Sequence, residues 1–193
     1  VRLGDWHRRA ERFEAAAAAY GEALALAKRK AGPEPDDWTL WFLRGSMHER
    51  GGQWPQAEAD LRAALDRAPE EAVVLNYLGY SLLDRGEKLP EATVLIEKAA
   101  KLRPGDGGII DSLGWSLYRQ GRYAEAVETL EKAWALEQTD PTVVDHLGDA
   151  YWQVGRRIEA RFRWRQALDL DPDAKQRQAL RSKLDYGLDA ALA

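Results

Sequence analysis

Small apolar residues recur along the chain with a period of about 34 residues, and bulky apolar residues recur between them. A glycine appears in four successive copies of the pattern, and two columns of alanine follow in the same phase. The glycines are Gly45, Gly79, Gly114 and Gly148. The alanines are Ala57, Ala92, Ala126 and Ala160, and then Ala64, Ala99, Ala133 and Ala167. A period of this length predicts stacked helical hairpins, with glycine and alanine where two helices cross closely.

Proline and aspartate mark where the predicted helices begin and end. The prolines placed to stop a second helix are Pro69, Pro104 and Pro172. Pro55 and Pro90 are placed to open second helices, and Asp140 before Pro141 is typical of an N-cap followed by the first helical residue. The step from Gly79 to Ala92 is longer by a single position than the same step in the other repeats. This difference predicts an extra residue in the turn around Lys88 and Leu89.

The columns divide the chain into about five helical hairpins and a final helix, with no strand. The first unit precedes the second by more than one repeat length, so the proline-rich stretch Ala31 to Asp37 is predicted as a loop that holds the excess. Leucines at helical spacing near the C-terminus predict a capping helix. The predicted units span 1–30, 38–71, 72–106, 107–140 and 141–174, and the capping helix spans about 173–192.

The repeat resembles the tetratricopeptide pattern of W-x2-L-G-x2-Y, then A-x3-F, then proline. The first part is matched by Trp41, Arg44, Gly45 and His48; by Leu75, Leu78, Gly79 and Leu82; by Ile110, Leu113, Gly114 and Leu117; and by Val144, Leu147, Gly148 and Tyr151. The second part is matched by Ala57 and Leu61, Ala92 and Ile96, Ala126 and Leu130, and Ala160 and Trp164. The resemblance implies an all-α, right-handed superhelical solenoid whose first helices line a concave, peptide-binding face.

Transferring the family's inward register to this chain gives a set of candidate peptide-binding residues. They are Phe42, Ser46, Glu49, Asn76, Tyr80, Asp84, Asp111, Trp115, Tyr118, Arg119, Asp145, Asp149 and Trp152, with Arg50, Leu83 and Gln153 in the same columns. Tyr80 and Trp115 are interpreted as aromatic anchors for a partner, whereas Tyr118 and Trp152 are interpreted first as packing. The aspartates predict a ligand with Lys or Arg beside an apolar anchor. The family's carboxylate clamp is disfavoured, because the required inward lysines are missing.

The composition of the chain disfavours several classes of function. The chain carries 28 Lys and Arg against 32 Asp and Glu, a net charge of -4, which disfavours nucleic acid. It has no Cys, His48 falls in a packing column, and His7 and His146 lack partners at metal-ligand spacing, so neither a metal nor another cofactor is expected. No apolar run is long enough to predict membrane insertion by this segment. No nucleophile, base and orienting group combine, so an enzyme is the least favoured class.

Short strings resemble a narrower group of exported proteobacterial tetratricopeptide proteins. They begin at Asn76 (NYLGYS), Ile110 (IDSLGW), His146 (HLG) and Lys183 (KLDYGL). One branch of that group is an outer-membrane lipoprotein that serves as the adaptor of a periplasmic C-terminal processing protease. The resemblance implies a periplasmic or outer-membrane-associated location and a protease or cell-envelope protein as partner. A cytoplasmic location is the alternative.

The main functional hypothesis is a scaffold or adaptor that binds a peptide or protein. The alternative is an architectural segment that self-associates or stacks on other domains of its own chain. No polar cap precedes Val1, so the array is expected to continue N-terminally, and the small and apolar second helix of the first hairpin is expected to be bare. Self-association through this N-terminal hairpin is therefore predicted.

Overall fold

A computed structural model describes residues 1–31 and 38–191 of the chain, and every regular element in those ranges is an α-helix. The prediction of an all-α fold without strands is confirmed for this part of the chain. Apart from Ala31, which ends the second helix, the predicted loop 31–37 lies outside the described residues.

Most of the helices are short and of nearly equal length, as a repeating helical hairpin requires. They are α1 (Arg2–Arg9), α2 (Phe13–Ala31), α3 (Trp38–Arg50), α4 (Trp54–Arg67), α5 (Ala72–Arg85), α6 (Leu89–Leu102), α7 (Gly107–Arg119), α8 (Tyr123–Leu136), α9 (Pro141–Gln153), α10 (Arg157–Asp169), α11 (Ala174–Tyr186) and α12 (Leu188–Ala191). They form two compact units, Val1–Leu82 and Leu83–Ala193, with the boundary inside α5.

In the N-terminal unit, α2 packs against both α1 and α3. Ala16, Tyr20 and Leu24 are buried, and the Tyr20 hydroxyl donates a hydrogen bond to Asp5 over 2.7 Å. The expectation of a bare second helix is therefore wrong for this core face, because α1 and α3 already cover it. The exposed large apolar side chains among the described residues of this unit are Val1, Leu3 and Trp6, on α1 and at its start, and Leu26 on α2.

In the C-terminal unit, α7 packs against α8 and α9 packs against α10. The close crossings predicted from the glycine column are present at Gly45, Gly114 and Gly148. A Cβ added to Gly148 would lie 2.5 Å from Nε1 of Trp164, so the fully buried indole occupies the space that a side chain would need. Large aromatics can fill this core because the facing helix offers no side chain.

Local signals set the helix boundaries as predicted. Pro55 and Pro90 lie in the first turns of α4 and α6, and Oδ1 of Asp140 accepts a hydrogen bond from the amide of Thr142 over 2.7 Å. The extra residue between α5 and α6 is accommodated at Lys88, which adopts a left-handed conformation with φ 47°.

The C-terminal helix is shorter than expected. The leucine spacing predicts a single helix that reaches Leu192, but α11 ends at Tyr186 and the chain turns at Gly187 before α12. Gly187 has φ 86°, and a Cβ there would lie 2.6 Å from the Trp152 ring. Both conditions require glycine, and a tertiary contact with Trp152 is not visible in helical periodicity.

Candidate peptide-binding face

The predicted inner face of the N-terminal unit is organised around Tyr77, which the inward register does not select. The Tyr77 ring meets Phe42 edge to face, with ring centroids 5.4 Å apart. Its hydroxyl donates to Oε2 of Glu49 over 3.0 Å. Burial, followed by the charge of Glu49, raises the pKa of the Tyr77 hydroxyl, which therefore stays a hydrogen-bond donor. Glu49 is thus oriented by the protein itself.

The other candidates in this unit differ in accessibility. Ser46 is buried and its hydroxyl donates to the carbonyl of Leu43 over 3.0 Å, so its assignment to a ligand-facing surface is corrected. Tyr80 and Asn76 are half-buried. Oδ1 of Asn76 is buried and has no hydrogen-bond partner among the described residues.

In the C-terminal unit, one repeat positions a histidine on the aspartate of the previous repeat. Nδ1 of His146 on α9 donates to the carboxylate of Asp111 on α7, with distances of 2.9 and 3.1 Å to its two oxygens. The imidazole also stacks on Trp115, with ring centroids 4.0 Å apart and planes inclined by 9°. Burial tends to lower the pKa of His146, but the Asp111 carboxylate outweighs it and raises that pKa.

Trp115 also stacks on Tyr118, one helical turn along α7. Their ring centroids are 4.5 Å apart and their planes are inclined by 8°. The Tyr118 hydroxyl accepts a hydrogen bond from Nε2 of Gln153 over 3.3 Å, and burial raises the Tyr118 pKa to about 12. Trp115 remains half-buried, so it presents an indole surface that His146 and Tyr118 hold in one orientation.

The aspartates of α9 are already bound within the chain. Nζ of Lys183 on α11 donates to Asp145 over 2.7 Å and to Asp149 over 2.8 Å, and all three residues are buried. Nε1 of Trp164 donates a further hydrogen bond to Asp149 over 2.9 Å. The expectation that Asp145 and Asp149 offer acidity to a ligand is corrected, because both carboxylates are buried and already bonded to Lys183. Asp111, held by His146, is also buried.

Asp149 shares the Lys183 ammonium with Asp145, and its pKa is shifted. Burial and then the charge of Asp145 raise the pKa of Asp149 to about 6, against the opposing effect of Lys183. Burial tends to lower the pKa of Lys183, but Asp149 and Asp145 raise it, so the ammonium stays charged.

Trp152 is held by the C-terminal segment. Its Nε1 donates to Asp189 over 3.1 Å, and the guanidinium of Arg157 lies 3.8 Å from the ring centroid. Gly187 passes closely over the same ring. These contacts give Trp152 a packing role beside any role in binding.

The remaining candidates are described by their accessibility alone. Asp84, Arg119 and Arg50 are exposed, and Leu83 is buried. The inward register does not select Lys183, although a signal exists, since Lys183 follows Asp149 by one repeat length. His146 likewise follows Asp111 by one repeat length. This separation is too long to count as metal-ligand spacing, so that criterion does not detect the pair.

Two features are absent from the described part of the chain. Residues 1–31 and 38–191 contain no cluster of three or more His, Cys, Asp or Glu side chains arranged for a metal ion. In the same ranges, none of the helices combines the length and apolar character needed to cross a bilayer.

Comparison with protein families agrees with this architecture. A family described as "Tetratricopeptide repeat" matches residues 1–54 and 48–107, and one described as "TPR repeat" matches residues 114–155. The chain therefore belongs to the tetratricopeptide repeat family, whose members are generally protein-interaction scaffolds. No curated protein sequence matches the chain significantly.

Solved structures share the fold at low sequence identity. PilF of Pseudomonas aeruginosa is 20% identical with a TM-score of 0.75, over 99% of this chain and 85% of PilF. A thermophilic TPR protein of Thermus thermophilus is 23% identical with a TM-score of 0.75, over 95% and 96% of the two chains. YrrB, described as a TPR protein with an unusual peptide-binding site, is 18% identical with a TM-score of 0.62, over 92% and 88%.

Proposed function

We propose that this chain is a non-catalytic binding scaffold that holds a segment of another protein against the predicted inner face of its first helices. The observation that carries the proposal is Trp115. Its indole is partly exposed, yet stacking on His146 and Tyr118 fixes its orientation before any ligand arrives. A rigid aromatic surface of this kind binds an apolar side chain with little ordering cost.

The chemistry of the ligand depends on which charged side chains of this face remain exposed. With Asp145 and Asp149 buried and bonded to Lys183, the exposed charges left among the candidates of the C-terminal unit are Asp84 and Arg119, one of each sign. An apolar anchor on Trp115 is therefore the main determinant, and the sign of the ligand's charge is secondary.

The finer parts of the proposal rest on sequence resemblance. The strings at Asn76, Ile110, His146 and Lys183 support a periplasmic or outer-membrane-associated location. They also support a processing protease or another cell-envelope protein as the partner. Fractionation of cells producing the full-length protein, followed by cross-linking in the periplasm, tests both features. Recovery only in the cytoplasm would refute them and leave the scaffold function standing.

The scaffold function itself is tested with a random-peptide display library selected on the immobilised chain. Selected peptides should bind the Trp115→Ala variant at least about tenfold more weakly, and Trp115→Phe should restore most of the loss. Val94→Ser, at an exposed position in α6, serves as the control and should leave these peptides unaffected. If no peptide depends on Trp115 while circular dichroism shows Trp115→Ala to be folded, the proposed site is wrong.

A further inference from the structure

The outer side of α10 carries large apolar residues where its own core does not need them. Ala160, Trp164 and Ala167 form the buried side of this helix. On the opposite side, at helical spacing, lie Ile158 and Phe162, which are 84% and 60% exposed. Arg165 and Asp169 continue the same stripe and are also exposed.

The other repeats show what this position requires for folding. Counted from the recurring alanine column of the repeat, the residues equivalent to Ile158, Phe162 and Arg165 are Pro55, Ala59 and Arg62 in α4; Pro90, Val94 and Glu97 in α6; and Ala124, Glu128 and Glu131 in α8. The same helical hairpin therefore forms without two large apolar residues at these sites. Packing within the repeat does not account for Ile158 and Phe162 together.

The charge on this stripe also changes sign within the C-terminal unit, from Glu97 and Glu131 to Arg165. The neighbouring arginines of α10 are engaged: Arg161 donates to the carbonyl of Leu184, and Arg163 lies over the Trp134 ring at 4.0 Å. Among the described residues, Arg165 has neither a hydrogen bond nor an ion pair. Its equivalent in α4, Arg62, is paired with Glu58 at 2.8 Å.

We propose that Ile158, Phe162 and Arg165 form a second docking surface, for a segment of a partner protein that presents a carboxylate next to a large apolar side chain. The apolar side chain packs on Ile158 and Phe162, and the carboxylate pairs with Arg165. Asp169, one turn further along α10, repels that carboxylate and so directs it to the Phe162 side of Arg165. The surface is separate from Trp115, so the chain can hold two partners at once.

A protein segment fits this surface better than a lipid bilayer does. Phe162, Arg165, Gln166 and Asp169 line a hollow suited to a single side chain. The Asp169 carboxylate would also be pressed against anionic headgroups on a membrane. Two exposed apolar side chains are few for membrane anchoring by an interfacial helix.

The test selects random displayed peptides on the immobilised full chain and measures their affinities for purified variants. Peptides for this surface should carry Asp or Glu beside a large apolar residue. They should bind Phe162→Ser and Arg165→Glu at least about tenfold more weakly, whereas Arg165→Lys keeps most of the affinity and Asp169→Asn increases it. Val94→Ser is the matched control, because Val94 holds the equivalent position in α6 and is 63% exposed.

Several results would overturn the proposal. One is a selection whose peptides all lose affinity with Trp115→Ala and none with Phe162→Ser, which would leave the inner face as the only site. Others are binding to phosphatidylserine vesicles, or concentration-dependent dimerisation in sedimentation, that Phe162→Ser abolishes. The last two results would assign the stripe to a lipid surface or to a second copy of the chain. Thermal unfolding of every variant verifies that these exposed substitutions leave the fold intact.

Discussion

The two units of the molecule differ in how completely their buried polar groups are paired. In the C-terminal unit, the buried side chains of Asp111, Asp145, Asp149, His146 and Lys183 all have charged partners. In the N-terminal unit, four buried polar atoms have no hydrogen-bond partner among the described residues. They are Nδ1 of His7, Nε of Arg8, Nε1 of Trp41 and Oδ1 of Asn76, against one such atom, Nε1 of Trp134, in the C-terminal unit.

An unpaired buried polar group costs free energy, whereas a fully paired network holds its members in one arrangement. We therefore expect local stability to be unevenly distributed across this repeat architecture. The C-terminal unit is suited to be a rigid platform for Trp115. The N-terminal unit should open first, and native-state hydrogen exchange should show lower protection in α1 to α3 than in α7 to α10.

The largest expected effect on the difference between the two units comes from Lys183→Ala. The substitution leaves Asp145 and Asp149 buried without their cation, and the loss of one partner from such a group costs about 3–5 kcal/mol. Urea unfolding should show this loss in the C-terminal unit. Lys175→Ala, at an exposed position in α11, is the control and should change little. Equal stability of the two variants would mean that the charge network contributes nothing.

A smaller loss of stability is expected from Gly→Ala substitutions at the close helix crossings of the two units. Gly148→Ala places a methyl group 2.5 Å from Trp164, whereas Gly45→Ala places one 3.1 Å from Asp60 and Leu61. Overpacking of this kind costs about 1–3 kcal/mol, with Gly148 toward the upper end and Gly45 toward the lower. Thermal melting measures both, with Gly105→Ala as a control because its Cβ would meet nothing. A larger loss at Gly45 would show the N-terminal unit to be the more tightly packed.

The pH dependence of stability tests the charge network of the C-terminal unit and leaves its packing unchanged. The folded pKa of Asp149 is raised from 3.8 to about 6, so the folded chain holds this proton more tightly than the unfolded chain does. The contribution of Asp149 to stability therefore falls as pH rises from 3.8 to about 6. Asp149→Asn should remove this part of the slope. Urea titrations of both proteins across that range test the sign, and identical slopes would refute it.

The smallest expected effect lies in the N-terminal unit. Asn76→Leu replaces a buried amide oxygen that lacks a partner with an apolar group of similar size. The substitution should raise the free energy of unfolding by about 1 kcal/mol, because the desolvation cost of the amide disappears. Chemical denaturation monitored by Trp fluorescence measures the change. A loss of stability would show that the Asn76 amide makes a favourable interaction.

Features that depend on local sequence or on repeat register were predictable. The close crossing at Gly148, the helix starts at Pro90 and Asp140, and the extra turn residue at Lys88 each follow from a residue type at a fixed offset. The break at Gly187 was not predicted, because its cause is the Trp152 ring, which lies on another helix and far away in sequence. The burial of Asp145 and Asp149 was missed because a face assigned from one helix does not show which neighbour covers it.

Lys183 also has a consequence for protein engineering. It stands where a further repeat would place the counterpart of Asp149, so α11 supplies a cation in place of a carboxylate. A hairpin grafted after α10 would have to bring its own lysine at that position, or the graft would inherit two buried negative charges. Modular extension of this array is therefore limited by electrostatic compatibility at the junction more than by the shape of the helices.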